Sequence, residues 1–378
     1  MTTPARHSEY PLDRAFPALA EALPRVALGA WPTPVTASPQ FANAHGLSSL
    51  HVKREDQSHP QCGGNKVRGL ELLLGDAVSR GANTIITMGA AGSHHVCRTA
   101  WHAAQLGLRT VAALVPQAEA EYARRNLLCA ASVGAELKLV TYVGVAPTLI
   151  CEMLRPRNWH GAEPPYFIPP GGTSPRSCVG HVNAMFELRD QIDAGVLPEP
   201  DFLYVPMGSL GTAAGLLLGA RLAGLKTRII GVAVSYKWYC TAGRCVRMAM
   251  RCLRFMRRFN SSIPEVDLGT GDVEIVHSVL GEGYAQFTEK SVALAGELHR
   301  LDGVGLDGTY TAKALAGMMD FIREHDLATR RNLFWHTYHP LPPSMCAPGA
   351  RNSLPPALAQ YVEAEVQPLD KQLHYPRE

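Results

Sequence analysis

Short apolar runs separated by helix-length stretches recur along most of this 378-residue chain. The runs at 84–88, 110–115, 136–140, 201–207, 229–234 and 333–337 are apolar almost throughout rather than alternating. Continuous runs of that length predict strands buried on both faces of a parallel sheet, joined by covering helices. SLHVKR at 49–54 predicts one more strand. Helices are predicted over 38–44, 66–79, 96–106, 120–133, 146–154, 179–194, 213–223, 243–259, 290–300 and 311–325, with Gly81, Gly107 and Gly134 as stop signals. Leu70, Leu73 and Leu74 read as the apolar stripe of the 66–79 helix. Residues 1–30 read as an arm with one short helix near 17–23, and the two prolines of 31–35 predict an extended segment. A proline-rich tail closes the chain, and no internal repeat shows at any fixed period.

Composition narrows the class. Hydrophobic residues make up 46% and charged residues 18%, as in an ordinary globular protein long enough for two domains. A formal charge of +3 does not argue for a nucleic-acid partner. The nine cysteines include no CxxC pair, which fits reduced thiols rather than a disulfide frame or a zinc motif. Residues 1–16 lack the apolar core of a secretion signal. The most apolar segment, 212–234, is broken by Arg221, Lys226 and Arg228, too often for a membrane span. A cytoplasmic protein is the expectation. The arginines at 244, 247, 251, 254 and 258 share one face of the 243–259 helix, and a solvated face explains them better than an anion site.

The candidate chemistry lies at glycine-rich turns. Gly63-Gly64-Asn65-Lys66 opens the 66–79 helix. Asn65 suits the N-cap, and Lys66 stands in the positive field of the helix start. Desolvation there lowers an ammonium pKa and frees an amine that can form a Schiff base; a glycine turn with a surface lysine is the plainer alternative. Gly208-Ser209-Leu210-Gly211-Thr212 follows a buried strand and opens a helix, where converging N–H groups suit a phosphate or carboxylate. It lacks the Gly-Lys-Ser/Thr of a P-loop, and a purely structural turn is an equal reading. The 89–95 turn places Ser93, His94 and His95 at another helix start, suited to a carboxylate. Adjacent histidines lack the i, i+4 spacing of a zinc pair. Gly171-Gly172-Thr173, Gly281–Tyr284 and His336-Thr337 are further element ends, and in an open α/β sheet such ends share one crevice.

In that order, these segments resemble the pyridoxal-phosphate (PLP) enzymes of the tryptophan-synthase-β-like fold. Within it they look most like the 1-aminocyclopropane-1-carboxylate (ACC) deaminase and D-cysteine desulfhydrase family. The resemblance runs from about 31 to 338 and includes Val52-Lys53-Arg54-Glu55-Asp56, Gly63–Arg68, Gly89–His95, Gly208–Thr212, Gly283-Tyr284 and the segment 307–317. It implies two domains, each with a mostly parallel sheet flanked by helices. Residues 1–69 with 178–378 would form the large cofactor-binding one, and 70–177 a small inserted one. It implies that Lys66 carries the cofactor and that Gly208, Ser209, Leu210, Gly211 and Thr212 cradle its phosphate. Asn65, His94 and Thr337 would touch the cofactor, with Thr337 close to the pyridine nitrogen. Ser93, His94 and His95 would receive the substrate carboxylate, and Tyr284 would stand near its Cα. Lys66, Tyr284 and Ser93 are the implied catalytic set, with no metal.

The chain departs from the family pattern at several places. His94 replaces an asparagine that bonds the cofactor 3′-oxygen, Gly92 a glutamine, and Gly69 a second basic residue. Ala285 and Phe287 replace glycine and proline after the tyrosine, and Tyr338-His339-Pro340 replaces a Gly-Gly. The resemblance implies a cytoplasmic homodimer that eliminates or deaminates a small amino acid such as D-cysteine, ACC or a β-substituted relative. A β-replacement enzyme of specialised metabolism and a catalytically silent protein of this fold are the alternatives.

Overall fold

The computed structural model describes residues 10–347 and 349–375, so residues 1–9 of the expected arm lie outside it. Ten strands form two sheets: β1 (Val35–Ala37), β2 (Ser49–Arg54), β3 (Thr84–Ala90), β4 (Arg109–Val115), β5 (Glu136–Leu139), β6 (Tyr166–Phe167), β7 (Phe202–Met207), β8 (Arg228–Ala233), β9 (Val273–Val276) and β10 (Arg331–His336). The larger sheet runs β1-β2-β10-β7-β8-β9, the smaller β5-β4-β3-β6. Among the strand pairs of the described residues only β1–β2 is antiparallel. This is the mostly parallel α/β architecture that the apolar runs and the resemblance implied.

The continuous runs have their explanation in two cores. Leu203, Val205 and Met207 of β7 pack with Leu333 and Trp335 of β10 and Ile229 of β8 on one face. Phe202 and Tyr204 pack with Ile230, Val232 and Phe334 on the other. Side chains alternate at period two, yet both faces are buried, so the strand sequence shows no alternation. The helices Pro175–Asp193, Gly211–Leu222 and Ala242–Arg257 contribute to the first core, and Glu289–Asp302 and Thr311–Glu324 to the second. The Ala242–Arg257 helix turns Cys245, Ala249, Cys252, Leu253 and Met256 inward, leaving Arg244, Arg247, Arg251 and Arg254 exposed, as expected for a solvated face.

Four expectations need correction. The Lys66–Ser79 helix has no apolar stripe facing one way; every residue from Val67 to Ala77 is buried, because protein covers it on all sides. The arm has two helices, Pro11–Ala15 and Pro17–Ala22, and inserts Leu12, Leu19 and Leu23 into the first core. Glu71 holds it there, one carboxylate oxygen accepting the N–H groups of Leu28 and Gly29 and the Trp31 indole N–H. The helix expected from 179 begins at Pro175, where Ser174 and Ser177 form a reciprocal capping box. The proline-rich tail contains the helix Pro356–Glu363, with Leu358 buried against the core of the smaller sheet.

Among the described residues no helix is long and apolar enough to cross a membrane, and all nine cysteines are free thiols.

Candidate active site

Strand ends from both sheets meet at a cavity of about 280 Å3. The turn after β3 supplies Ser93, His94 and His95, the turn after β7 supplies Gly208, Ser209, Leu210 and Thr212 but not Gly211, and the end of β10 supplies Thr337 and Tyr338. Asn65, Lys66, Gly171 and Tyr284 complete the lining of the residues expected there.

Lys66 is the first residue of its helix, with its amine in the cavity wall rather than at the surface. Its Nζ donates to the Gly171 carbonyl at 3.0 Å. Burial lowers its pKa from 10.5 to about 8. Two residues on, the Arg68 guanidinium is clamped by Glu55 at 2.6 and 2.8 Å and by Glu187 at 2.9 and 3.0 Å. Lys53 adds bonds to Glu187 at 2.5 Å and Gln191 at 2.7 Å. The whole group is buried. It fixes the first turn of the helix, and so the direction from which Lys66 enters the cavity.

Asn65 does not cap the helix with its side chain, because its backbone is already helical at φ −55° and its amide is used elsewhere. Its Nδ2 donates to the Thr212 hydroxyl at 2.8 Å, and its main-chain N–H to the Thr337 carbonyl at 3.3 Å. Asn65 therefore ties the Lys66 turn to the 208–212 turn and to the end of β10. In that second turn Leu210 is left-handed at φ 71°, a conformation that costs a non-glycine residue about 1 kcal/mol and is held only where packing dictates it. The N-terminus of Gly211–Leu222 there leaves its first N–H groups without intrahelical partners. Thr173 braces the turn, its hydroxyl reaching the Ser209 carbonyl at 2.9 Å and the Ser209 hydroxyl at 3.0 Å.

Ser93 caps the His94–Gln105 helix by accepting the Val96 N–H at 3.3 Å, which leaves its own O–H free to donate toward the cavity it lines. His94 stacks on Tyr122, ring centroids 4.8 Å apart. Asn126 donates to its Nδ1 at 2.9 Å while accepting from Arg98 at 2.7 Å, an orientation that leaves the ring proton on Nε2. That Nε2 is buried and without a hydrogen-bond partner, 3.8 Å from Asp307. Burial lowers the His94 pKa, keeping the ring neutral. His95 differs: its nitrogens face the Thr87 and Thr99 hydroxyls at 3.0 and 3.3 Å, and burial lowers its pKa to about 3. It is a neutral wall residue with both nitrogens engaged.

Tyr284 shares a 2.5 Å hydroxyl–hydroxyl hydrogen bond with Tyr310, and burial raises its pKa to about 12. Tyr310, Asp307, Tyr122 and Tyr338 carry no expected role, yet they line the cavity or brace it. The signal for Asp307 and Tyr310 was the Asp307-Gly308-Thr309-Tyr310-Thr311 string; Tyr122 and Tyr338 lie outside it. The Asp307 carboxylate accepts the N–H groups of Thr309, Tyr310 and Thr311 at 2.9–3.1 Å, which places the Tyr310 ring. Burial alone would raise the Asp307 pKa, but the facing His94 and the Thr311 bonds bring it below the usual carboxylate range.

The departures at Gly69 and Gly92 have steric causes. A Cβ on Gly69 would lie 2.9 Å from the Ser177 Cβ, and one on Gly92 would lie 2.3 Å from the Ala123 Cβ. Gln117 fills the space beside Gly92, its Oε1 accepting the Gly92 N–H at 2.9 Å. Restoring the family pattern with Gly69→Lys or Gly92→Gln is therefore expected to destabilise the protein by about 1–3 kcal/mol each, measured by denaturant unfolding. At Ala285 the backbone keeps a left-handed φ of 63° without the glycine. Gln367 from the tail holds this stretch, donating to the Ala285 carbonyl and accepting the Phe287 N–H.

This lining fits pyridoxal phosphate. A neutralisable amine, a helix start for a phosphate and an unsatisfied buried N–H on His94 border one cavity. The family profile for pyridoxal-phosphate dependent enzymes matches residues 26–337. A D-cysteine desulfhydrase of Klebsiella pneumoniae (strain 342) is 31% identical over 330 residues, covering 84% of this chain and 97% of the relative. A nocardicin C-9′ epimerase of Nocardia uniformis subsp. tsuyamanensis is 33% identical over 347 residues, covering 86% and 98%. The crystal structure of an ACC deaminase homologue superposes with a TM-score of 0.70 at 28% identity, covering 85% of this chain and 93% of the other.

Proposed function

Because the chain belongs to the pyridoxal-phosphate-dependent enzymes, in the group of ACC deaminase and D-cysteine desulfhydrase, we propose that it eliminates or deaminates a small amino acid, D-cysteine, ACC or a β-substituted relative. The observation that carries this reading is the Lys66 amine, desolvated and facing the helix start at Gly208–Thr212 across one cavity. When bound, pyridoxal phosphate supplies an electron-accepting ring that stabilises negative charge at the substrate Cα. Lys66 would carry the cofactor, and its amine, once released, takes or returns the Cα proton. The 208–212 turn would hold the phosphate through main-chain N–H groups and the helix field. His94 Nε2 would donate to the cofactor 3′-oxygen, doing what the family's asparagine does, and the Thr337 hydroxyl would face the ring nitrogen. A neutral partner there leaves that nitrogen unprotonated and favours elimination over transamination.

The substrate carboxylate would bind at the Ser93 hydroxyl and the N–H groups of the His94–Gln105 helix start. Tyr284, protonated at neutral pH because burial raises its pKa, acts as a proton donor rather than a base. Its link to Tyr310 holds the phenol in place. Tyr284→Phe is expected to lower kcat about 10²–10⁴-fold while the holoenzyme spectrum persists. Loss of the spectrum along with activity would make Tyr284 a cofactor ligand instead.

Incubating the holoenzyme with D- and L-cysteine, ACC and serine, and following keto acid and ammonia, tests the proposal. Keto acid from one of these is the expected result, and none from any contradicts it. The Nocardia relative favours one further reading, inversion at Cα with no leaving group. Solvent deuterium entering the substrate Cα without keto acid release would establish that reading in place of elimination. We place the enzyme in the cytoplasm as a homodimer; nine unpaired thiols suit a reducing compartment, and light scattering measures the assembly.

A further inference from the structure

Cys62, Cys97 and Cys129 are fully buried, far apart in sequence, and brought together so that their sulfurs all lie within 4.8 Å of one another. Cys62 precedes the Gly63–Lys66 turn, Cys97 is on the first turn of the His94–Gln105 helix, and Cys129 is on the Glu121–Ser132 helix. No usual short metal spacing connects these three cysteines along the chain. We propose that these three thiols form a binding site for one thiophilic d10 cation of the zinc(II) class, which pins the Lys66 turn to the Ser93 turn.

Three physical arguments support this site. Sulfurs coordinated at about 2.3 Å around one ion sit about 4 Å apart, so the trio closes on a cation with only small side-chain movements. Thiolates select soft cations, and the surrounding Trp101, Leu341 and Val133 offer no oxygen ligand for a hard one. Charge also balances. Each coordinating thiol releases its proton to solvent, so three thiolates on a divalent cation carry a net charge of −1. The Arg98 guanidinium is within Coulomb reach of all three sulfurs and is fixed by bonds to the carbonyls of Gly63 and His339. Three neutral thiols packed as small hydrophobes would need neither the convergence nor the buried cation beside them.

The mechanical consequence follows from position. Arg98 donates to Gly63, and Cys62 adjoins it, so a cation bridging Cys62 and Cys97 fastens the turn that presents Lys66 to the helix that presents Ser93 and His94. Occupancy would stiffen the cofactor site from behind without entering it.

The test measures metal in the holoenzyme purified without chelator, then titrates reduced protein with cadmium(II), with zinc(II) and copper(I) as comparison arms. Each titration is run both on folded protein and during refolding, since a buried site fills most readily as the chain closes. The expected result is one cation per chain, an ultraviolet sulfur-to-cadmium band with the intensity of three thiolates, and a Tm that rises with cation. Cys129→Ser, outside the cofactor cavity, should keep the cofactor absorbance and lose the band. No stoichiometric metal in either mode, a band of fewer than three thiolates, or retention of the band in Cys129→Ser would overturn the proposal. So would a denatured thiol count two short of nine, which would show a disulfide in its place. If Cys129→Ser fails to fold, the band intensity of the unmodified protein decides alone. None of these readouts depends on the substrate or on turnover.

Discussion

Lys66→Ala is expected to abolish the visible absorbance of the cofactor-bound protein and to lower turnover by at least ~10⁴-fold, with the fold intact. Among the described residues burial lowers the pKa of three lysines, and of these only Lys66 lines the cavity. Lys53 is consumed by Glu187, Gln191 and the Thr33 carbonyl. Lys313, whose pKa burial also lowers to about 8, donates to the carbonyls of Leu280 and Gly283. Lys66 makes a single bond, to the Gly171 carbonyl, so its loss removes one hydrogen bond, about 1 kcal/mol, and Tm should fall little. The pH dependence has a definite sign. Burial holds the ammonium form below its ordinary 10.5, at about 8, so the reactive neutral amine grows as pH rises through 8. Cofactor capture by the apo protein, followed by stopped-flow absorbance, should accelerate over that range and level off above it. A pH-independent rate would place the reactive amine elsewhere.

The second large effect is on stability. Glu187→Ala strands Arg68 and Lys53 as buried, half-paired cations and is expected to cost about 3–5 kcal/mol in denaturant unfolding. Burial alone would raise the Glu187 pKa, but Arg68 and Lys53 outweigh it and bring the value from 4.5 down to about 2. A depressed carboxylate stabilises above its unfolded pKa. Its share, about 3 kcal/mol, is therefore complete above pH ~5 and is lost as pH falls from 4.5 through 2. Urea midpoints between pH 2 and 6 should fall more steeply for the parent than for Glu187→Gln. Equal slopes would show that the ion pairs contribute nothing net.

Elements carrying unbroken apolar runs were legible, since burial on both faces writes itself into every position of a strand such as 202–207. β1, β6 and β9 were not. They are short edge strands, three, two and four residues long, whose pairing is decided by the neighbouring strand rather than by their own pattern. That Lys66, Ser93, Tyr284 and the turn at Gly208 border one crevice was readable because each sits at a glycine-marked element end. The environment that makes them useful could not. Nothing in Gly69 or Gly92 announces Ser177 or Ala123 against them, and nothing in Asn65 announces that its amide reaches Thr212 instead of capping its own helix. His94 and His95 look equivalent in sequence. Only their neighbours separate a histidine with a free, inward Nε2 from one whose two nitrogens are engaged. The same holds for Cys62, Cys97 and Cys129, which no spacing connects.

The most direct test of Lys66 as the cofactor's anchor is borohydride reduction of the holoenzyme followed by peptide mass mapping. Reduction fixes the cofactor to the lysine that holds it. A cofactor-sized mass increment on the peptide containing Lys66, stoichiometric and absent from Lys66→Ala, is the expected result. An increment on the peptides of Lys53 or Lys313, or on none, would contradict it.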